Sequence, residues 1–439
     1  MNQDEILSKL KIEALNAMQV AVGKAFRETD NDVVVLSPTG SGKTLAYLLP
    51  LLESIDEQAE RVQLLVVTPS RELALQSDNV VKRIGRYRSM ACYGGRPAME
   101  EHQTMNRQLP QVIFGTPGRL NDHLAKENFS PYTVRYLVID EFDKCLEMGF
   151  MEEMSQLIRY LPGLRRRLLL SATDAQQIPS FVRMGKVTRV DYLHQREEVQ
   201  QRVNHWCVMS EEKDKLPALK HLLCAIGHQS SLVFLNFRES VERVANYLQN
   251  EGFSISFLHG GLDQQLREDA LYKFSNGSAN IFVATDLAAR GLDIPLIQNV
   301  VHYHLPLNEE AYIHRVGRTA RWQSSGDNFF FLLGPEEHLP DYLTVQPQTF
   351  VLPAEMPLPP QPLMTTIYIG KGKKDKLSKG DIVGFLCKKG GLTMAQVGKI
   401  DVKDRYTYVA VERKAVGEML KKVKGEKIKG IKTIVECVK

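Results

Sequence analysis

The sequence predicts an α/β chain: two tandem parallel-sheet domains followed by a smaller C-terminal α+β domain. Three observations carry that expectation. From Asp32 onward, short apolar runs alternate with longer amphipathic stretches, the pattern of a parallel sheet covered on both faces. The pattern pauses over the polar stretch 191–203 and then restarts. Pro353, Pro357, Pro359, Pro360 and Pro362 then fall close together, and beyond them the order of elements changes.

In the first domain the runs at 33–36, 62–68, 111–115, 136–139 and 167–170 predict strands, being short and rich in Val, Ile, Leu, Tyr or Phe. The stretches 44–55 and 72–84 predict amphipathic helices between them. In the second domain the runs at 231–235, 254–258, 280–283 and 299–303 predict strands. The proline density predicts an extended, semi-rigid spacer. After it, 366–370 reads as a strand, 379–388 as a helix, and 397–402 and 406–411 as strands. Val416, Met419, Leu420 and Val423 recur at helical spacing, and 431–438 closes as a strand. That β-α-β-β-α-β order is a split βαβ plan, the one RNA-recognition motifs also use. The expected domains are 1–197, 204–348 and 365–439, with 349–364 as the proline-rich linker.

Composition excludes several classes. With 43% hydrophobic and 25% charged residues, the chain is not disordered as a whole. No apolar stretch is long enough to cross a membrane, and the start, Met1-Asn2-Gln3-Asp4-Glu5, lacks an apolar signal region. Six cysteines with no CxxC pair disfavour a zinc or disulfide scaffold and point to a reducing cytoplasm. Residues 365–439 hold 19 Lys+Arg and 8 Asp+Glu, a balance of +11 against +4 for the whole chain, so the remainder carries −7. A basic module on an acidic body predicts a nucleic-acid or anionic-membrane partner, set against the plainer possibility of a solubilising lysine-rich tail.

Three motifs carry chemistry. Ser37-Pro38-Thr39-Gly40-Ser41-Gly42-Lys43-Thr44 follows the first strand and opens a helix. It is a phosphate loop with Ser37 in place of the first glycine. Its backbone N–H groups would wrap phosphate oxygens, Lys43 would neutralise them, and Thr44 would offer its hydroxyl to Mg²⁺. Asp140-Glu141 ends another apolar strand about 100 residues later, as a Walker-B acid does. Asp140 is expected at the metal and Glu141 at the attacking water. His314-Arg315-Val316-Gly317-Arg318-Thr319-Ala320-Arg321 lies in the second domain, and Arg318 and Arg321 share a face if helical. They are expected to act as arginine fingers, worth on the order of 10³–10⁵ in rate.

With these residues in order, the chain resembles the DEAD-box ATP-dependent RNA helicases of superfamily 2 over nearly all of residues 15–335. The resemblance implies two RecA-like domains, ATP and Mg²⁺ as cofactors, and RNA as substrate. It places Gln19 at adenine, and Thr39, Gly40, Ser41, Gly42, Lys43, Thr44 and Asp293 at the nucleotide. Arg71 of Thr68–Ala74, Gly95 of Gly94-Gly95, and Thr116 and Arg119 of Thr116-Pro117-Gly118-Arg119 become RNA-backbone contacts, as do Gln264, Arg267 and Thr285. Asp143, Ser171 and Thr173 become the coupling between nucleotide state and unwinding. The chain departs from the family pattern at Phe142, where alanine gives the family its name, at Ala320, at Leu15-Asn16 before Gln19, and at Asn2. Phe142 puts packing at the site in question, and the changes around Gln19 predict weaker adenine selectivity.

Residues 366–438 resemble the RNA-binding domain of the bacterial DbpA helicases, through Lys379–Gly384, Val397–Ile400, Tyr408–Val411 and Lys427–Gly430. The resemblance implies a grip on a hairpin of large-subunit ribosomal RNA by residues 365–439, hence work on pre-ribosomal particles. The strand at 405–411 has Tyr406 and Tyr408 but not the full aromatic pattern of RNA-recognition motifs, so lysines and arginines are expected to carry more of the contact. The reading is a cytoplasmic, monomeric ATP-dependent RNA helicase that remodels ribosomal RNA in large-subunit assembly. The rivals are an ATP-dependent RNA clamp or chaperone that scarcely unwinds, and a DNA-translocating ATPase.

Overall fold

The computed structural model describes residues 3–38, 40–95, 98–174, 178–193, 203–289, 297–317, 327–343 and 346–438. They fall into two compact units, one holding the described residues up to 193 and the other those from 203.

The first unit is built on seven strands: β1 (Asp32–Leu36), β2 (Leu64–Val67), β3 (Ser89–Cys92), β4 (Val112–Gly115), β5 (Tyr136–Ile139), β6 (Arg166–Ser171) and β7 (Val187–Asp191). All pairs are parallel, in the order β3-β4-β2-β5-β6-β1-β7. Alternate residues of β1 enter different cores: Val33 and Val35 pack with Leu48 and Leu52, while Val34 and Leu36 pack with Ile139 and Leu169. Two strands escaped the sequence reading. β3, Ser-Met-Ala-Cys, has no β-branched residue, and β7 is a half-exposed edge carrying Arg189 and Asp191.

The second unit opens on a parallel sheet of β8 (Asn204–Met209), β9 (Ser231–Leu235), β10 (Ile255–Leu258), β11 (Ile281–Thr285), β12 (Asn299–His302), β13 (Asn328–Leu333) and β14 (Gln348–Thr349). Its order is β10-β11-β9-β12-β13-β8-β14. β8, β13 and β14 complete it beyond the four runs legible in the sequence. Phe350 donates its N–H to the Cys207 carbonyl at 2.8 Å, so the chain leaves this sheet just before the prolines.

The same unit contains the C-terminal module: β15 (Met364–Ile369), β16 (Val397–Val402), β17 (Thr407–Glu412), the hairpin strands β18 (Lys427–Ile428) and β19 (Ile431–Lys432), and β20 (Val435–Cys437). The antiparallel sheet runs β16-β17-β15-β20, and helices Lys379–Lys388 and Arg413–Val423 cover one face. Ile382, Phe385, Met419 and Val423 pack there on Ile367, Ile369, Val409 and Val411. The strand expected over 431–438 is instead broken. Lys429 (φ 52°) and Gly430 (φ 82°) form a two-residue turn that folds Ile431–Lys432 back on Lys427–Ile428, and Val435–Cys437 alone joins the sheet.

The other face of this sheet is covered by helix Gln264–Ser275 of the same unit. Tyr272 lies 5.0 Å ring to ring from Tyr408, and its hydroxyl reaches the carbonyls of Lys399 (2.7 Å) and Tyr408 (3.1 Å). Gln265 Nε2 donates to the hydroxyls of Tyr408 and Tyr406, Tyr408 donates to Asp269, and Asn276 Nδ2 donates to Thr366 at 2.8 Å. Tyr408 is 3% exposed, so this face is not available for stacking bases in this arrangement.

Candidate active site

Strand order divides the C-terminal edge of the first sheet into two halves, the edge at which α/β sheets build their sites. The neighbours β5, β6 and β1 end in Asp140, Ser171 and the phosphate loop. The neighbours β3, β4 and β2 lead into Gly95, Thr116 and Arg71.

In the loop, Gly42 sits at φ 85° as the N-cap of helix Lys43–Ser54. A Cβ there would lie 2.5 Å from Gln19 Nε2, so conformation and space both demand glycine. Lys43 is buried, its Nζ donating to the carbonyls of Ser37 (2.7 Å) and Pro38 (3.0 Å). Ser41 Oγ is buried with no hydrogen-bond partner among the described residues, a polar atom that a phosphate oxygen would satisfy. Thr44 lies in the first turn of the helix; Thr39 lies outside the described residues.

Asn16 and Gln19 clasp this loop. Asn16 caps helix Ala17–Glu28 in a capping box with Gln19, and its Nδ2 donates to the Ser41 carbonyl at 2.8 Å. Gln19 Oε1 accepts from Asn16 N (3.0 Å) and Nε2 donates to the Gly42 carbonyl (3.1 Å). The departure Leu15-Asn16 therefore keeps a side chain that caps the helix and tethers the loop. An adenine edge read by Gln19 would have to exchange with the Gly42 contact.

Asp140 is 2% exposed. Burial and the neighbouring Glu141 carboxylate push it up to about 7, against the pull of Lys43. The buried Asp140 carboxyl, which accepts from Glu141 N at 3.0 Å, and the Thr44 hydroxyl form a hard-oxygen donor set that fits Mg²⁺. Glu141, itself buried, holds a left-handed conformation (φ 50°, ψ 53°), a strained backbone at the end of the strand. Phe142, the departure in the signature tetrad, points away from this chemistry. It is 1% exposed and packs with Ile139, Cys145 and Val182 in the core. Asp143 Oδ2 accepts from Ala172 N and Thr173 Oγ1, each at 3.2 Å, and Ser171 Oγ donates to the Thr173 carbonyl at 2.6 Å.

On the other half of the edge, Ser70 caps helix Arg71–Ile84, accepting from Leu73 N at 3.2 Å. Arg71 Nη1 lies 2.6 Å from where a Cβ on Gly95 would stand. Thr116 is the N-cap of helix Pro117–Ala125, with Arg119 one turn on.

In the second unit, Gln264 and Arg267 open helix Gln264–Ser275 after the cap Asp263, and Thr285 ends β11. Asp293, Arg318 and Arg321 lie outside the described residues. Sequence reasoning gave no role to Arg315. It is fully buried: its fork grips both Asp286 oxygens (2.6 and 2.7 Å), the His304 carbonyl (2.7 Å) and Asn236 Oδ1 (2.9 Å), over the Phe234 ring. It ties the ends of β9 and β11 to helix Glu309–Val316. An arginine between Ile313 and Val316, opposite an aspartate that ends an apolar strand, is the signal that could have found it.

Comparison with known proteins follows the same division. The DEAD/DEAH box helicase family matches residues 16–180, the helicase conserved C-terminal domain 214–323, and the DbpA RNA binding domain 366–437. The ATP-dependent RNA helicase DbpA of Escherichia coli is 35% identical over 446 residues, covering 98% of this chain and 94% of that protein. The chain belongs to the DEAD-box ATP-dependent RNA helicases, of the DbpA type. The Bacillus subtilis DbpA is 30% identical, covering 91% of this chain and 90% of that protein. The ATP-dependent rRNA helicase rrp3 of Emericella nidulans is 38% identical over 302 residues, covering 67% of this chain and 64% of that protein. Among solved structures, Mss116p bound to single-stranded RNA and AMP-PNP is similar at TM-score 0.71 and 26% identity, covering 81% of this chain and 78% of that one. Dbp5 of S. cerevisiae bound to RNA and ADP BeF3 is similar at TM-score 0.65 and 25% identity, covering 75% and 87%. For this DbpA-type helicase, the two halves of the edge are thus candidate ATP and RNA sites of one DEAD-box domain.

Proposed function

We propose that this helicase hydrolyses ATP on binding RNA and locally unwinds ribosomal RNA in large-subunit assembly, directed there by residues 365–439. The observation that carries the catalytic part is the convergence of the phosphate loop, Asp140 and the Asp143–Thr173 bond on neighbouring strand ends. Lys43 exchanges its loop carbonyls for the β- and γ-phosphates, and Ser41 and the loop N–H groups wrap their oxygens. Asp140 and Thr44 hold Mg²⁺, which when bound neutralises phosphate charge and helps orient the γ-phosphate for in-line attack. Glu141 orients the attacking water and takes its proton. Gln19 reads adenine, and Asp293 contacts the nucleotide. Arg318 and Arg321 stabilise the transferring phosphoryl group once ATP and RNA are both bound.

Arg71, Gly95, Thr116 and Arg119 hold the RNA backbone from the first domain, and Gln264, Arg267 and Thr285 from the second. Such contacts position a strand without reading its sequence. Asp143, Ser171 and Thr173 relay the nucleotide state to those contacts. Neither Phe142, packed in the core, nor Asn16, tethering the loop, favours a clamp that scarcely unwinds.

The ribosomal assignment is supported by the DbpA-type module, its +11 balance and the rRNA helicase among the relatives. With the Tyr408 face covered, the exposed lysines outside it are the surface left for a hairpin. The protein works as a cytoplasmic monomer, in keeping with six free cysteines and with no helix, among the described residues, long and apolar enough to cross a membrane. The test is RNA-stimulated ATPase with total RNA and with large-subunit ribosomal RNA fragments. Stimulation concentrated in one fragment supports the assignment, and equal stimulation by all of them removes it.

A further inference from the structure

We infer that Glu101 is a positioning residue for RNA binding: it holds the Arg119 guanidinium at the sheet edge from behind. The inference rests on Arg119 being an RNA-backbone contact.

Glu101 lies on helix Ala98–Gln108, which follows the Gly94-Gly95 turn, and it is buried at 6% exposure. Its Oε2 is 2.8 Å from Arg119 Nε and 3.0 Å from His123 Nε2, while Oε1 accepts from Tyr93 N at 3.3 Å. A cation and two N–H donors thus converge on one carboxylate. Two come from helix Pro117–Ala125, and the third from the segment between β3 and the glycine turn. The contact at Nε is an ion pair, and it holds the guanidinium against the buried carboxylate. A second carboxylate, Asp122, lies 3.7 Å from Nη1.

The back of the network is fixed too. His123 is fully buried, and Asn128 Nδ2 meets its Nδ1 at 2.7 Å. With Asn128 donating there, the imidazole proton sits on Nε2 and is donated to Glu101. Glu101 therefore cannot swing away from Arg119 without also breaking the His123 contact.

Cys92, Glu101 and His123 also have ligand atoms within 4.8 Å of one another, the spacing of a metal site. The chemistry argues against one. Burial, then the Glu101 charge, push the Cys92 thiol well up, so it remains a protonated, poor ligand. A guanidinium already occupies the carboxylate, and a cation beside it would be repelled.

A buried carboxylate is costly unless paired, and that alone could reflect a brace for the fold. The two roles separate in kinetics. Glu101→Gln keeps the shape and removes the charge. The RNA KM for ATPase should rise about tenfold as the guanidinium loses its ion pair, with ATP KM and kcat at saturating RNA within about twofold. Glu101→Asp, which withdraws the charge by one methylene, should raise the same KM and serves if the first variant folds poorly. In an Arg119→Ala background, Glu101→Gln should have no further effect on the RNA KM. Additive effects of the two substitutions, or a Glu101→Gln variant whose RNA KM is unchanged, would overturn the inference while leaving Arg119 as a contact. An RNA KM untouched by Arg119→Ala would overturn the contact itself and the inference with it.

Discussion

Thr173 donates its hydroxyl to the Asp143 carboxylate at 3.2 Å, joining the strand end that carries the Walker-B acid to the strand end of β6. The same carboxylate oxygen accepts from Ala172 N, so the segment 171–173 is held by Asp143 through both main chain and side chain. These bonds are the contacts through which the proposed coupling of Asp143 to the segment 171–173 would act.

Thr173→Ala should uncouple the two activities. A hydrogen bond to a charged group is worth about 1.5–3 kcal/mol, so strand displacement should fall about tenfold or more. RNA-stimulated ATPase should stay within a few-fold of the parent. Measuring both on one RNA duplex checks this, and an equal fall in the two would mark Thr173 as part of the hydrolytic site.

Glu141→Gln should bind ATP normally and hydrolyse it at least ~10²-fold more slowly, the lower scale of general-base catalysis. The amide has the shape of the carboxylate but cannot take the water's proton. RNA release should slow as well. Single-turnover ATPase and nucleotide affinity measured together test the point, and unchanged turnover would remove Glu141 from the water.

Phe142→Ala restores the family's usual residue, yet it should harm this protein. The ring fills a core site at 1% exposure, and emptying it should cost about 3–5 kcal/mol of stability. Thermal unfolding reads the loss. A variant as stable as the parent would mean the core closes over the space.

How much of this was legible in the sequence divides by range. The loop Gly40–Thr44, Asp140-Glu141 and the strands that carry them announce themselves by local spacing and apolar runs, and the structure brings them together. The network around Arg315 was less visible, because Asp286 and Asn236 meet it only when the ends of β9 and β11 are side by side. Least visible was the docking of the C-terminal module. Tyr272 and Tyr408 are 136 residues apart, and nothing in either neighbourhood marks them as partners. The turn at Lys429-Gly430, just ahead of the strand expected over 431–438, was missed because a basic, β-prone run conceals a turn that depends on positive φ.

Tyr272→Phe should loosen that docking. It deletes the hydroxyl that reaches the Lys399 and Tyr408 carbonyls, a loss of about 1 kcal/mol. Proteolysis within the proline-rich stretch 353–362 should quicken, while the ATPase of the first domain's site is spared in its ATP KM. A cleavage rate equal to the parent's would contradict the interface.

High pH should act in the same direction. Burial, with Glu268 and Asp269 nearby, pushes Tyr406 up from 10.0 to about 12. A raised folded value means that its stabilising contribution is complete below about pH 10. It is lost as pH climbs through about 12. Tyrosinate absorbance and cleavage of the proline-rich stretch should therefore rise together across that window. Cleavage that rises well below pH 10 would point to another group.

The central claim, an ATP-dependent helicase directed to ribosomal RNA by its C-terminal module, is tested most directly by strand displacement. The full chain is given ATP and a duplex joined to a large-subunit ribosomal RNA hairpin, and in parallel the same duplex joined to an unrelated hairpin of equal length. The account predicts faster displacement with the ribosomal hairpin, with a preference that fades as salt rises, since the module's charge contributes a strongly salt-dependent share of binding. Equal rates on the two hairpins at every salt concentration would contradict it.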